Sequence, residues 1–258
     1  MTLKSFVKKL TLFYFLAVLM FLTSCSGINT QKIHEDFEVH TLYSNISNVH
    51  LVRYYDSYFL VDAGIEGEEV RIENQLAALG VNGKDLKFIL LTHGHTDHAG
   101  TSKYFKETYG IPIIVGEGDL PMLLSGKNDS LCATSFLGEI TRLFVPAQYP
   151  PVEPDVVVSE SINLKNYGVD GTIIPMKDHT EGSLILVLEK TAFVGDLLRG
   201  KAMAKNTPAL IFYQCDLEEN QKNVIKTLLF NCDMWFTGHF GPLKTSRIQS
   251  WLESKPYN

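Results

Sequence analysis

The chain is poor in positive charge: 23 lysines and arginines face 29 aspartates and glutamates, a formal net charge of −6. No basic stripe or arginine-rich run offsets that balance. This argues against a nucleic acid or any acidic polymer as partner, because phosphate-backbone binding is chiefly electrostatic. No apolar run reaches the roughly 20 residues that span a bilayer. Cysteine is scarce, four residues in 258, and none falls in a CxxC metal or redox motif. Repeats and low-complexity tracts are absent as well. Disorder is excluded by composition, since 45% of the residues are hydrophobic and 20% charged, enough for a sizeable core in one domain.

Lys4, Lys8 and Lys9 precede an apolar run of 13 residues from Leu10 to Leu22, broken only by Thr11, and small residues follow. A positive flank, a short apolar stretch and a small-residue boundary make an export signal rather than a membrane span. Leu22-Thr23-Ser24-Cys25 resembles the lipobox of bacterial lipoproteins. That resemblance implies cleavage after Ser24, a lipid on Cys25 and an envelope protein held to a membrane; the alternative is an ordinary secretory signal. Loss of residues 1–24 leaves 20 bases against 29 acids. Residues 25–41 are then expected to be a lipidated N-terminus and polar tether, and 42–258 the folded domain. Cys132, Cys215 and Cys232 remain, enough for at most one internal disulfide, and are read as small buried hydrophobes.

The patterning alternates strand and helix. Val49, Leu51, Phe59 and Val61 read as a hairpin around Asp56-Ser57, ending at Asp62-Ala63-Gly64. Ile72, Leu76 and Leu79 share a helical face that Gly80 terminates. Phe88 to Leu91 is a buried strand leading into Thr92-His93-Gly94-His95-Thr96-Asp97-His98-Ala99-Gly100. A helix over 101–109, strands near 111–115, 156–158, 171–175, 184–188, 192–194 and 234–236, and helices near 217–229 and 244–252 follow. Residues 117–155 are the least regular part, punctuated by glycine and proline.

Five of the eight histidines, His93, His95, His98, His179 and His239, sit beside Gly or Asp after strand-like runs. In a strand His93 and His95 would face one side and could reach one ion together. Four candidate ligands within six residues crowd a single tetrahedral ion, which points to two metals completed by distant residues.

His93-Gly94-His95-Thr96-Asp97-His98 resembles the HxHxDH motif of the metallo-β-lactamase superfamily, and Asp62, His179 in His-Thr-Glu-Gly-Ser, Asp196 in Val-Gly-Asp and His239 in Gly-His-Phe-Gly-Pro follow in the family's order. The resemblance, spanning most of residues 42–252, implies an α+β fold, a four-layer αβ/βα sandwich of two facing mixed sheets flanked by helices. It further implies one metal on His93, His95 and His179, a second on Asp97, His98 and His239, Asp196 bridging them, and Asp62 as support. Two ions roughly 3.5 to 4 Å apart acidify a shared water to a nucleophile. Asp97 is also placed to relay its proton. Imidazole and carboxylate suit zinc, taken as the default, and also iron or manganese.

The expected function is a binuclear zinc hydrolase of an ester, thioester, lactone or similar small-molecule bond. A mononuclear iron persulfide dioxygenase is the alternative from another reaction class; a β-lactamase and a non-enzymatic metal-binding lipoprotein rank below both. Asp196 resembles the glyoxalase II, lactonase and phosphodiesterase branches, whereas one lactamase subclass has a cysteine near that place. Only 19 residues follow His239, against the glutathione-binding helical domain of glyoxalase II relatives, and Arg199 stands where quorum-sensing lactonases have a tyrosine. Substrate choice is assigned to residues 117–155, where Phe136, Leu137, Phe144 and Tyr149 form either a cap or ordinary core. Arg199, Lys201 and Lys244 read as solvated charges.

Overall fold

The computed structural model describes residues 27–254 and Tyr257, so the expected signal segment and Cys25 lie outside the described residues. Strands β1 (Asn29–His34), β2 (Phe37–Ser44), β3 (Ser47–Tyr54), β4 (Ser57–Val61), β5 (Leu86–Leu90), β6 (Ile113–Gly116) and β7 (Val156–Val158) form one sheet in chain order. Pairing is antiparallel through β4 and parallel from β4 to β7. The second sheet has the order β15-β14-β11-β10-β9-β8. Its members are β8 (Ile162–Asn163), β9 (Gly171–Pro175), β10 (Leu184–Leu188), β11 (Thr191–Gly195), β14 (Met234–Thr237) and β15 (Leu243–Lys244). A separate ribbon pairs β12 (Arg199–Lys201) with β13 (Ala204–Ala209).

Period-two alternation sorts these strands into layers. Val52, Phe59, Val61, Phe88 and Leu90 of the first sheet meet Leu184, Leu186, Leu188, Phe193 and Phe236 of the second in one buried core. Phe59 stacks on Phe88 at 4.6 Å and Phe193 on Phe236 at 5.0 Å, so each side of that core carries a paired aromatic plate. The alternate residues Leu51, Leu60 and Ile89 face outward against Ile72 and Leu76 of α1 (Glu69–Ala78). Phe105, which reaches the same cluster, belongs to the α3 helix (Ser102–Tyr109), after the single turn α2 (Thr96–Ala99). On the opposite flank Ile185, Val194 and Trp235 pack against α6 (Leu217–Leu228) and α7 (Thr245–Glu253). Helices cover both outer faces: the fold is the expected four-layer αβ/βα sandwich.

Two expectations change. The polar tether does not extend to residue 41, because β1 and β2 already belong to the first sheet, with Phe37 and Val39 fully buried in the central core. Cys132 and Cys215 are not isolated buried hydrophobes but form a disulfide across 83 residues, leaving Cys232 buried and free. The bridge ties the irregular segment, whose regular pieces are α4 (Leu120–Ser125) and α5 (Phe136–Arg142), to the loop before α6. Backbone bonds at Thr134–Phe212 and Gln214–Cys132 reinforce that connection.

Candidate metal centre

The candidate residues collect where parallel strands end, the edge at which open α/β sheets expose loops to a crevice. Asp62 follows β4, His93 and His95 follow β5, Asp196 follows β11, and His239 follows β14. His179 comes from the connection between β9 and β10. The expected strand alternation of His93 and His95 is not what aligns them. β5 ends at Leu90, the two histidines lie in the following loop, and Asp97 and His98 ride on the α2 turn. A loop followed by a helical turn can aim four side chains at one small volume, which an extended strand cannot.

Three groups result, each with donor atoms within 4.8 Å of one another: His93, His95 and His179; Asp97, His98 and His239; and His93, His98 and Asp196. The third group draws one histidine from each of the others. His95 Nδ1 lies 2.9 Å from His179 Nε2. Asp196 Oδ2 lies 3.3 Å from His239 Nε2 and 3.7 Å from His179 Nε2. Asp97 Oδ2 lies 3.3 Å from the same His239 nitrogen. His93 Nε2, His98 Nε2 and Asp196 Oδ1 are buried with no hydrogen-bond partner, a costly arrangement for three adjacent polar atoms unless a cation satisfies them. The backbone also leaves room: a Cβ on Gly238 would stand 2.3 Å from Asp196 Oδ1 and 2.6 Å from His98 Cε1. The donor set therefore fits divalent ions.

The electrostatics favour positive charge in this volume. Burial alone would lower the pKa of His239, yet Asp196 and Asp97 beside it hold it up at about 10. His98 behaves alike, raised by Asp97, Asp62 and Asp196 against the cost of burial. Burial opposes ionisation of Asp97 and Asp196, but the neighbouring imidazoles keep both well below the ordinary carboxylate range. His179 falls to about 4 through burial and the proximity of His95, so it presents a neutral ring. His179 is thus already in the neutral form that binds metal, while the protons held on His98 and His239 mark the positive charge that a divalent ion would supply in their place.

Three of the histidines are oriented from behind. Asp62, with a left-handed backbone (φ 64°) that Asp tolerates, accepts bonds from Thr92 N at 2.7 Å and Thr92 Oγ1 at 2.9 Å, and its other oxygen holds His98 Nδ1 at 2.9 Å. Asp62 thus grips His98 and is absent from the donor groups. His179 Nδ1 bonds the Tyr213 carbonyl at 2.7 Å, and His239 Nδ1 bonds that of Ile46 at 2.7 Å. These contacts select which ring nitrogen points inward.

Several supporting residues carry no sequence signature. Asp119, fully buried after β6, accepts bonds from Gly94 N, Thr180 Oγ1 and Gly182 N at 2.7 to 2.8 Å, joining the histidine loop to the His179 loop. Asp129 lies 2.7 Å from His95 Nε2, and Asn48 donates to the carbonyls of Thr237 and Phe240 beside His239. Tyr149 is core rather than cap: it is buried, and its hydroxyl donates to the Gly94 carbonyl at 2.6 Å. Phe136 and Phe144 are exposed, and only Phe144 lines the cavity over the site; the side chain of Leu137 lies outside the described set. Arg199 is not a solvated charge, because its guanidinium stacks 3.8 Å from the centroid of the Phe212 ring, whereas Lys201 and Lys244 are exposed.

Comparison with known proteins agrees with this geometry. The model of the metallo-beta-lactamase superfamily matches residues 43–239. The probable metallo-hydrolase YflN of Bacillus subtilis is 24% identical over 237 residues, 83% of this chain and 88% of that protein. The hydroxyacylglutathione hydrolase GloC of Haemophilus influenzae is 28% identical over 141 residues, 54% of this chain and 60% of that protein. Among solved structures, the metallo-β-lactamase MIM-1 of Novosphingobium pentaromativorans superimposes with a TM-score of 0.63 at 18% identity, covering 91% of this chain and 93% of that one. With the family model spanning most of the chain and the sandwich shared, this protein belongs to the metallo-β-lactamase superfamily and is a metal-dependent hydrolase.

Proposed function

We propose that the centre holds two divalent ions, zinc by default, and hydrolyses an ester, thioester, lactone or similar bond of a small molecule. One ion would be held by His93, His95 and His179, the other by Asp97, His98 and His239, with Asp196 between them. The observation that carries this reading is the overlap of the three donor groups, with Asp196 placed beside histidines of both outer ones. Bound there, two ions would acidify a water to a nucleophile and polarise the scissile carbonyl. Asp97, ionised and lining the cavity, can accept a proton at Oδ2. Asp62 and Asp119 keep the imidazoles and loops in place while that proton moves. The measurement is metal content per chain after purification without chelator from medium holding both zinc and iron. About two zinc ions with turnover on an ester, thioester and lactone panel are expected. About one iron, with oxygen uptake driven by a persulfide, would replace the hydrolase by the dioxygenase.

We further propose that the chain is exported and anchored to a membrane through a lipid on Cys25. Supporting this are the residues before Cys25 and the Cys132–Cys215 disulfide, which belongs in an oxidising compartment. Cys25→Ser is expected to move the protein from the membrane fraction to the soluble one. Continued membrane fractionation of that variant would refute the anchor.

A further inference from the structure

A cavity of about 530 Å³ opens over the candidate centre, with His95, Asp97, His179, Asp196 and His239 at its floor. This volume suits a drug-sized ligand. Its walls are mostly apolar, with Ile46, Leu131, Phe144, Val145, Ile211 and Phe212, and the other polar groups in them are uncharged amides and hydroxyls. Among the described residues no lysine or arginine lines it; the ionisable groups are confined to the floor, apart from the tyrosine phenols. The cations near it are engaged elsewhere: Arg142 pairs with Glu139 at 2.7 Å and donates to the Leu131 carbonyl, and two others stand against aromatic rings. Arg199 stacks on Phe212, and Lys205 lies 5.0 Å from the centroid of the Tyr43 ring. The rim is apolar too, with Phe144 78% and Ile46 45% exposed, a surface that gains from being covered by an apolar group. The wall is held in place, since Leu131 adjoins Cys132 and Phe212 lies three residues before Cys215 in the disulfide.

Resting on the hydrolase reading, we propose that this cavity selects an acyl substrate whose acyl chain is uncharged and aliphatic and whose leaving group is neutral, and that it discriminates against carboxylate-bearing thioesters such as those of glutathione. A carboxylate entering these walls above the floor would be desolvated with no lysine or arginine among the lining residues to meet it, whereas each buried methylene gains about three- to fourfold in binding. The step is hydrolysis: the oxygen of water bonds the acyl carbon, the acyl–sulfur or acyl–oxygen bond breaks, and the leaving thiolate or alkoxide takes up a proton.

The test pairs substrates with one scissile bond on the metal-loaded full chain. S-butanoyl, S-hexanoyl and S-octanoyl N-acetylcysteamine are compared with S-octanoyl glutathione. The value of kcat/KM is expected to rise about 100-fold from butanoyl to octanoyl, and the neutral octanoyl thioester to exceed its glutathione counterpart at least tenfold. Val145→Lys is expected to shift that ratio at least tenfold toward glutathione. Binding gives a readout free of catalysis: octanol should displace the neutral fluorophore N-phenyl-1-naphthylamine from the chelator-treated protein, and glutathione should not. Turnover that is flat with chain length, or that favours the glutathione thioester, overturns this proposal alone. Absence of turnover on every thioester and ester overturns the hydrolase reading and the substrate class with it.

Discussion

Replacing Asp196 with alanine is expected to lower turnover by on the order of 10³-fold or more and to reduce the metal content below that of the parent chain. The size of the effect follows from position. Asp196 Oδ1 lies 3.7 Å from His98 Nε2, and Oδ2 lies near both His179 and His239, so one carboxylate touches both histidine sets. Its Oδ1 is buried without a partner. Metal analysis and kinetics of the same preparation decide the matter. Full metal content with turnover within tenfold of the parent would remove Asp196 from the centre. Asp97→Ala, measured in parallel, separates ligand from proton acceptor: metal retained with turnover lost marks the acceptor role, and metal lost marks the ligand.

Asp119→Ala is expected to destabilise the protein by about 3 kcal/mol, a fall in Tm of roughly 6 to 12 °C, and to weaken metal binding 10- to 100-fold. The carboxylate is fully buried and satisfies Gly94 N and Gly182 N, which alanine would leave as buried donors with nothing to bond. Thr180 Oγ1 suffers less, since Ser183 Oγ lies 2.9 Å away. Close backbone approach makes the site unforgiving: a Cβ on Gly182 would stand 2.3 Å from Asp119 N, so the two loops cannot shift together to close the gap. Asp119→Asn, which keeps one carbonyl acceptor, should recover part of the loss. Thermal unfolding of the metal-free chain reads the first effect, and competition with a chelator reads the second. An alanine variant with unchanged Tm and metal affinity would show that the two loops are held by other contacts.

These two aspartates mark the boundary between what could be read and what could not. Asp196 stood out in the sequence because Val-Gly-Asp after an apolar strand belongs to a known order of motifs. Asp119 sits in Glu-Gly-Asp-Leu-Pro, an unremarkable turn, and its partners are 25 and 63 residues away. Nothing local distinguishes a carboxylate that caps a surface turn from one that bonds two distant loops. Tyr149 and the Cys132–Cys215 pair escaped for the same reason: their contacts cross 55 and 83 residues. The histidine loop shows the converse limit. Its motif stands out locally, but whether His93 and His95 face one side depends on the strand running on through them, and β5 ends at Leu90.

The sequence by itself determined the succession of strands and helices and the clustering of His, Asp and Gly at strand ends, because these are local signals that need no knowledge of partners, whereas the four-layer order and the ligand set are what the resemblance of those motifs to the metallo-β-lactamase superfamily implies. Only the tertiary structure decided which histidines share an ion-sized space, which buried aspartates hold them there, and that apolar walls without a cation stand over them. Each of those depends on segments tens of residues apart being packed face to face, and the free energy that brings them together resides in burial shared by the whole core, not in any one stretch of chain.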